Sequence, residues 1–181
     1  MKRTTQTSKN MVSMIAGAVL ALLIMVLGVA IDAHSQSYQS LYPCFKELSG
    51  WQADNPEGMK MDMGGMKMLN AMRSYTRENQ KISATIMMGT QAMAQAAAAQ
   101  GMMNMETDQG KVVMQSIDGF PISLVLDKQD NSGAVTVILL PADAGGAIFI
   151  MAFEGLSEDE AMTLARSFDW GMMKSKVEAL K

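Results

Sequence analysis

Residues 111–154 read KVVMQSIDGFPISLVLDKQDNSGAVTVILLPADAGGAIFIMAFE. Four runs rich in β-branched and aromatic residues stand here with turn chemistry between each pair. KVVMQSI is followed by Asp118-Gly119 and FPISLVLDK; Gln129 to Gly133 then leads into AVTVILL, and Ala142 to Gly146 leads into AIFIMAFEG. Gly, Asn and Asp supply the backbone angles that tight turns require, so the stretch predicts an antiparallel meander.

Upstream, GMKMDMGGMKM at 58–68 alternates Met59, Met61 and Met63 with Lys60 and Asp62. Successive strand side chains point to opposite faces, so the methionines share one face and the charges the other. Gly64-Gly65 suits a tight hairpin, with a second strand from Met66 to Tyr75. Arg77 to Gln80, with Asn79, form the next turn, and ISATIMMGT at 82–90 reads as a third strand.

QAMAQAAAAQ at 91–100 is a helix by propensity, with Gly101 placed to end it. Met102, Met103 and Met105 either continue that helix or form a loop. Nearer the N-terminus, LYPCFKELSGW sets Leu41, Phe45, Leu48 and Trp51 at helix-like spacing, a short turn of helix capping the core. At the other end, Ser157 with Glu160 makes a capping box, and Ala161, Leu164, Ala165 and Phe168 line one helical face. Asp169 caps a last helix carrying Trp170, Met173, Val177 and Leu180. The expected fold is α+β: an antiparallel sheet of about six or seven strands with helices on one face, preceded by one N-terminal hydrophobic helix.

That leading segment, MVSMIAGAVLALLIMVLGVAI at 11–31, has no charge, and Lys2, Arg3 and Lys9 precede it. About 20 apolar residues at about 1.5 Å rise span a hydrocarbon core of roughly 30 Å. Basic residues keep their end in the cytoplasm, so the rest of the chain is expected on the far side. Residues 1–33 thus read as a signal peptide, with Gly28-Val29-Ala30 as a cleavage site, or as a transmembrane anchor. Residues 34–40 are a polar tether and 41–181 an extracytoplasmic domain. The expected location is periplasmic, either anchored to the inner membrane or released.

Cys44 is the single cysteine, so no internal disulfide supports an exported fold. Without Lys2, Arg3 and Lys9, 12 basic residues face 18 Asp and Glu. Nucleic acid is therefore not expected as a partner, and membrane contact is assigned to the N-terminal segment.

The pattern GW at 50–51, RSYT at 73–76, IMMG at 86–89, DGFP at 118–121, FEGLSEDE at 153–160 and FDW at 168–170 resembles small exported bacterial proteins of unassigned function. More loosely, the order of elements is similar to exported sheet-and-helix domains of the PsbP and Mog1 type. The resemblance implies a fold and supplies no site residue.

His34, the only histidine, lies in the tether, which removes Ser-His-Asp and Cys-His arrangements and two-histidine zinc sites. Glu158, Asp159 and Glu160 complement a helix N-terminus, and Asp127, Asp130 and Asn131 fit a turn. Trp51 and Trp170 read as core or rim aromatics. No catalytic or cofactor-binding residue is assigned, and the expectation is not an enzyme.

The remaining anomaly is methionine, with 21 in the chain. Thioethers are soft ligands that select Cu(I) or Ag(I), making Met59, Met61, Met63, Met66 and Met68 the candidate metal residues. The same side chains also serve as gap fillers between sheet and helix, or as an adaptable surface for a partner. The sequence thus points to a non-catalytic envelope module that binds an unidentified envelope protein. Its alternative is a Met-rich soft-metal accessory protein.

Overall fold

The computed structural model describes residues 38–64, 66–100 and 104–181. The hydrophobic run at 11–31 and the helix stop at Gly101 lie outside the described residues. Among the described residues, no helix is long and apolar enough to cross a membrane.

A 3-10 helix, Tyr38–Cys44, comes first and takes in the last residues read as tether. Leu41, Phe45, Leu48 and Trp51 are all buried, so the helix-like spacing delivers the expected core contacts. Only the first of them lies in a helix; the other three are placed by turns closed by Phe45 N–H to Tyr42 O and Trp51 N–H to Leu48 O. The strands are β1 (Gln52–Ala53), β2 (Glu57–Met63), β3 (Met66–Arg77), β4 (Gln80–Gly89), β5 (Met105–Glu106), β6 (Gly110–Ile117), β7 (Phe120–Asp127), β8 (Ser132–Leu140) and β9 (Ala147–Glu154). The helices are α1 (Thr90–Gln100), α2 (Glu158–Ser167) and α3 (Trp170–Glu178).

The described strands form one nine-stranded sheet in the order β1-β3-β4-β9-β8-β7-β6-β5, with β2 also on β3. Every pairing is antiparallel. The meander β6 to β9 forms as the sequence predicts, and β9 then pairs with β4, joining it to the N-terminal strands. The strand count exceeds the expected six or seven because β1 and β5, two residues each, are too short to leave a periodic signal.

Alternation divides the sheet into two faces. Ile82, Ala84 and Ile86 of β4, with Phe149, Met151 and Phe153 of β9, are buried in the main core. Each large apolar side chain taken from water contributes about 1.5–3 kcal/mol, so this layer supplies most of the driving force. Trp170, Met173 and Val177 of α3 and Ala161 and Ala165 of α2 close the core from above. Both caps form as expected: Ser157 and Glu160 exchange capping hydrogen bonds, and Asp169 accepts from Met172 N–H.

The opposite face corrects the one-sided expectation. Here α1 sets Ala92 and Ala96 on Ile138 and Ile148, with Met87 and Ile150 at the margin. Helices therefore cover both faces. A bulge between Ile138 and Leu140 sends Ile138 to this layer while Leu139 and Leu140 join the main core. α1 is short, and much of the second face remains open: Val125 is 40 % and Met105 59 % exposed.

Candidate functional site

The open face ends at β2 and β3, whose hairpin forms as the sequence predicts. Gly64 adopts φ 56°, a left-handed angle that favours glycine. The register sets Met63 opposite Met66, Met61 opposite Met68, Met59 opposite Asn70 and Glu57 opposite Met72. Among the described residues β2 has a strand partner on one side only, so its outer edge is a sheet edge there.

Met59, Met61 and Met63 are 49 %, 43 % and 63 % exposed. Core-filling methionines look different: Met151 and Met173 are completely buried. Met68 is half-buried, and of Met66 the backbone register alone is described. Lys60 pairs with Leu69 and Asp62 with Lys67, the alternate positions of the ladder. Alternation therefore sends those three charges to the other face. Asn70 Oδ1 accepts the Met59 N–H at 3.1 Å, which fixes the amide beside the methionine row.

Across β3, Met68 faces Gly89 and Asn70 faces Met87. Gly89 has φ 98°, and a Cβ there would lie 1.9 Å from Lys67 O. Glycine is therefore obligatory, and the flank of Met68 carries no side chain. The sequence candidates had left out Met72, Met87 and Asn70, which share this face. Period two along β3 signals Asn70 and Met72 beside Met68, whereas Met87 joins only through the β3–β4 register.

Several other ionisable groups have structural partners. Glu158 accepts from Lys111 Nζ at 2.8 Å, and this bond holds the Lys111 ammonium above its usual range. Hydrogen bonds from Ser157 hold the Glu160 carboxyl below the usual range. Asp127 Oδ1 accepts from Gln129 N–H at 2.8 Å, a turn contact as expected. A concavity on the open face, bordered by Ser74, Thr76, Ser83 and Ser132, has Lys81 and Glu154 as its charged groups, and they pair with each other at 3.1 Å. Burial, against the opposing charge of Lys176, pushes the Cys44 thiol up to about 11. Among the described residues, no group of three or more His, Cys, Asp or Glu is placed to hold a metal ion.

On the core side of β3, Arg73 Nε donates to Asp54 O at 2.7 Å and Nη1 to Phe45 O at 3.0 Å, while Nη2 meets Glu47. Arg77 stacks on Trp51 with its guanidinium carbon 4.5 Å from the ring centroid. These arginines tie the N-terminal segment to β3, and Trp51 is a buried core aromatic.

Compared with family models, with curated proteins and with solved structures, the chain matches none.

Proposed function

We propose that this chain is a non-catalytic binding module of the cell envelope, exported by its N-terminal hydrophobic run, with the methionine face of the β2–β3 hairpin as its working surface. An envelope protein is its partner. One observation carries the reading: Met59, Met61 and Met63 are 49 %, 43 % and 63 % exposed on an edge strand. A solvated row of large apolar side chains on one face of an edge strand invites association, because contiguous exposed apolar surface marks interaction sites. Thioethers also adapt to irregular partner surfaces, because three rotatable bonds and a polarisable sulfur let them repack.

The test is photo-crosslinking in cells from a benzoylphenylalanine placed at Met61, with the exposed α2 position Thr163 as control. A discrete adduct from position 61 and none from 163 is the expected result. Equal yields from both positions contradict the reading.

A further inference from the structure

We infer that the hairpin face is a site for a soft monovalent cation, Cu(I), with Met61 and Met68 as its central ligands and Met59 or Met63 completing it. The inference rests on the reading of this face as the working surface and names the ligand class.

Four observations converge. First, the ladder places Met61 directly opposite Met68. Opposed Cβ atoms in an antiparallel pair lie about 4.5–5.5 Å apart, and unbranched methionine side chains can close that gap to bring two sulfurs onto one ion. Met59 and Met63 flank Met61 on the same face, each about 6.8 Å along the strand, within reach of a third Cu–S bond.

Second, these side chains are not committed to packing: Met59, Met61 and Met63 are 49 %, 43 % and 63 % exposed. Rotating them towards an ion sacrifices little core contact. Third, Gly89 stands opposite Met68 on β4, so no side chain of that position hinders Met68 as it turns. Fourth, the donor set is soft and uncharged. Lys60, Asp62 and Lys67 alternate onto the other face; the carboxylate on the methionine face is Glu57, opposite Met72 and four residues along the strand from Met61, so the groups next to Met61 and Met68 are thioethers and the Asn70 amide. Neutral sulfur donors favour a monovalent soft ion, whereas hard dications require carboxylate or carbonyl oxygens. Binding changes no oxidation state; the ion exchanges its earlier ligands for thioethers.

The experiment uses the full-length chain in detergent, labelled with 13C at the methionine methyls. Cu(I) is kept reduced with ascorbate and titrated against bicinchoninate, and Ag(I) serves as a redox-inert probe in methyl spectra. The expected result is one equivalent bound, with the Met61 and Met68 methyls shifted and those of buried Met151 and Met173 unmoved. M61L/M68L keeps apolar volume on the strand and is expected to weaken Cu(I) binding at least 10-fold with the far-ultraviolet circular dichroism unchanged. Zn(II) is expected to shift none of these methyls. Wild-type affinity in M61L/M68L, or unmoved Met61 and Met68 methyls at stoichiometric Ag(I), overturns the inference. If the methyls stay still while position 61 crosslinks specifically in cells, the metal site falls and the binding surface stands; if neither responds, both fall.

Discussion

Met61 and Met68 face each other across the β2–β3 ladder, and Met61 leaves 43 % of its surface to solvent. Two methionines so placed do little for the fold, in contrast to Met151 and Met173, which are completely buried. M59T, M61T and M63T are each expected to change unfolding free energy by no more than about 0.5 kcal/mol, since exposed substitutions away from special backbone sites are nearly neutral. M151A and M173A are each expected to cost about 2–5 kcal/mol, the range for emptying a core position. Urea denaturation of the five variants checks the contrast.

Arg73 is expected to act as a clamp on the N-terminal segment. Its Glu47 partner is 76 % exposed, so that ion pair contributes little. The bond to the part-buried Phe45 O matters more, because its loss strands a carbonyl beside a core that includes Phe45, whereas Asp54 O is open to water. R73L is expected to cost about 2–3 kcal/mol. Denaturant midpoints measure the loss, and Cu(I) affinity is expected to be unchanged because Arg73 lies on the other face.

G89A is expected to be more damaging. The new Cβ meets Lys67 O at 1.9 Å and the backbone holds φ 98°. Left-handed strain alone costs about 1–3 kcal/mol in a non-glycine residue, so a total loss of at least about 3 kcal/mol is expected. Because Gly89 N–H donates to Gly146 O where β4 turns into α1, hydrogen exchange in α1 is expected to rise as well.

Alkali is expected to weaken the fold through Cys44 and Tyr75. Burial pushes the thiol from 9.0 up to about 11. The Tyr75 hydroxyl, which donates to Lys46 O, is likewise raised by burial from 10.0 to about 12. In both cases folding favours the protonated form. Their contribution is complete below the unfolded values and is lost as pH rises through the folded ones. Stability is therefore expected to fall between pH 9 and 12, with the decline beginning later in C44A, as read by denaturation at each pH.

The sequence conveys the fold where local chemistry and long-range pairing agree. Asp118-Gly119 turns β6 into β7 with φ of 52° and 81°, and Asn131 at φ 47° turns β7 towards β8. Ser157, Glu160 and Asp169 likewise cap the helices that their side chains announce. Agreement ends at α1. Its alanines make a helix without an apolar stripe, so nothing in TQAMAQAAAAQ says which face of the sheet it covers. The position of β9 between β4 and β8 is also a tertiary choice, made by matching Phe149 with Ile86 and Phe153 with Ile82.

The candidate site was legible in part. Alternation foretells Met59, Met61 and Met63 on one face, and Gly64-Gly65 foretells their return against Met66 and Met68. Their exposure is not written there, because the same pattern describes a strand packed beneath a helix. What decides it is that α1 lies over Ile138 and Ile148.

The most direct test of the hairpin as a working surface is methionine oxidation by hypochlorite in intact cells and in the purified full-length chain, read as sulfoxide at each residue. Met105, 59 % exposed at the other margin of the sheet, normalises the dose. Protection of Met59, Met61 and Met63 relative to Met105, at least threefold greater in cells than in the purified chain, is the predicted result. The same oxidation ratio in both settings would contradict an occupied face.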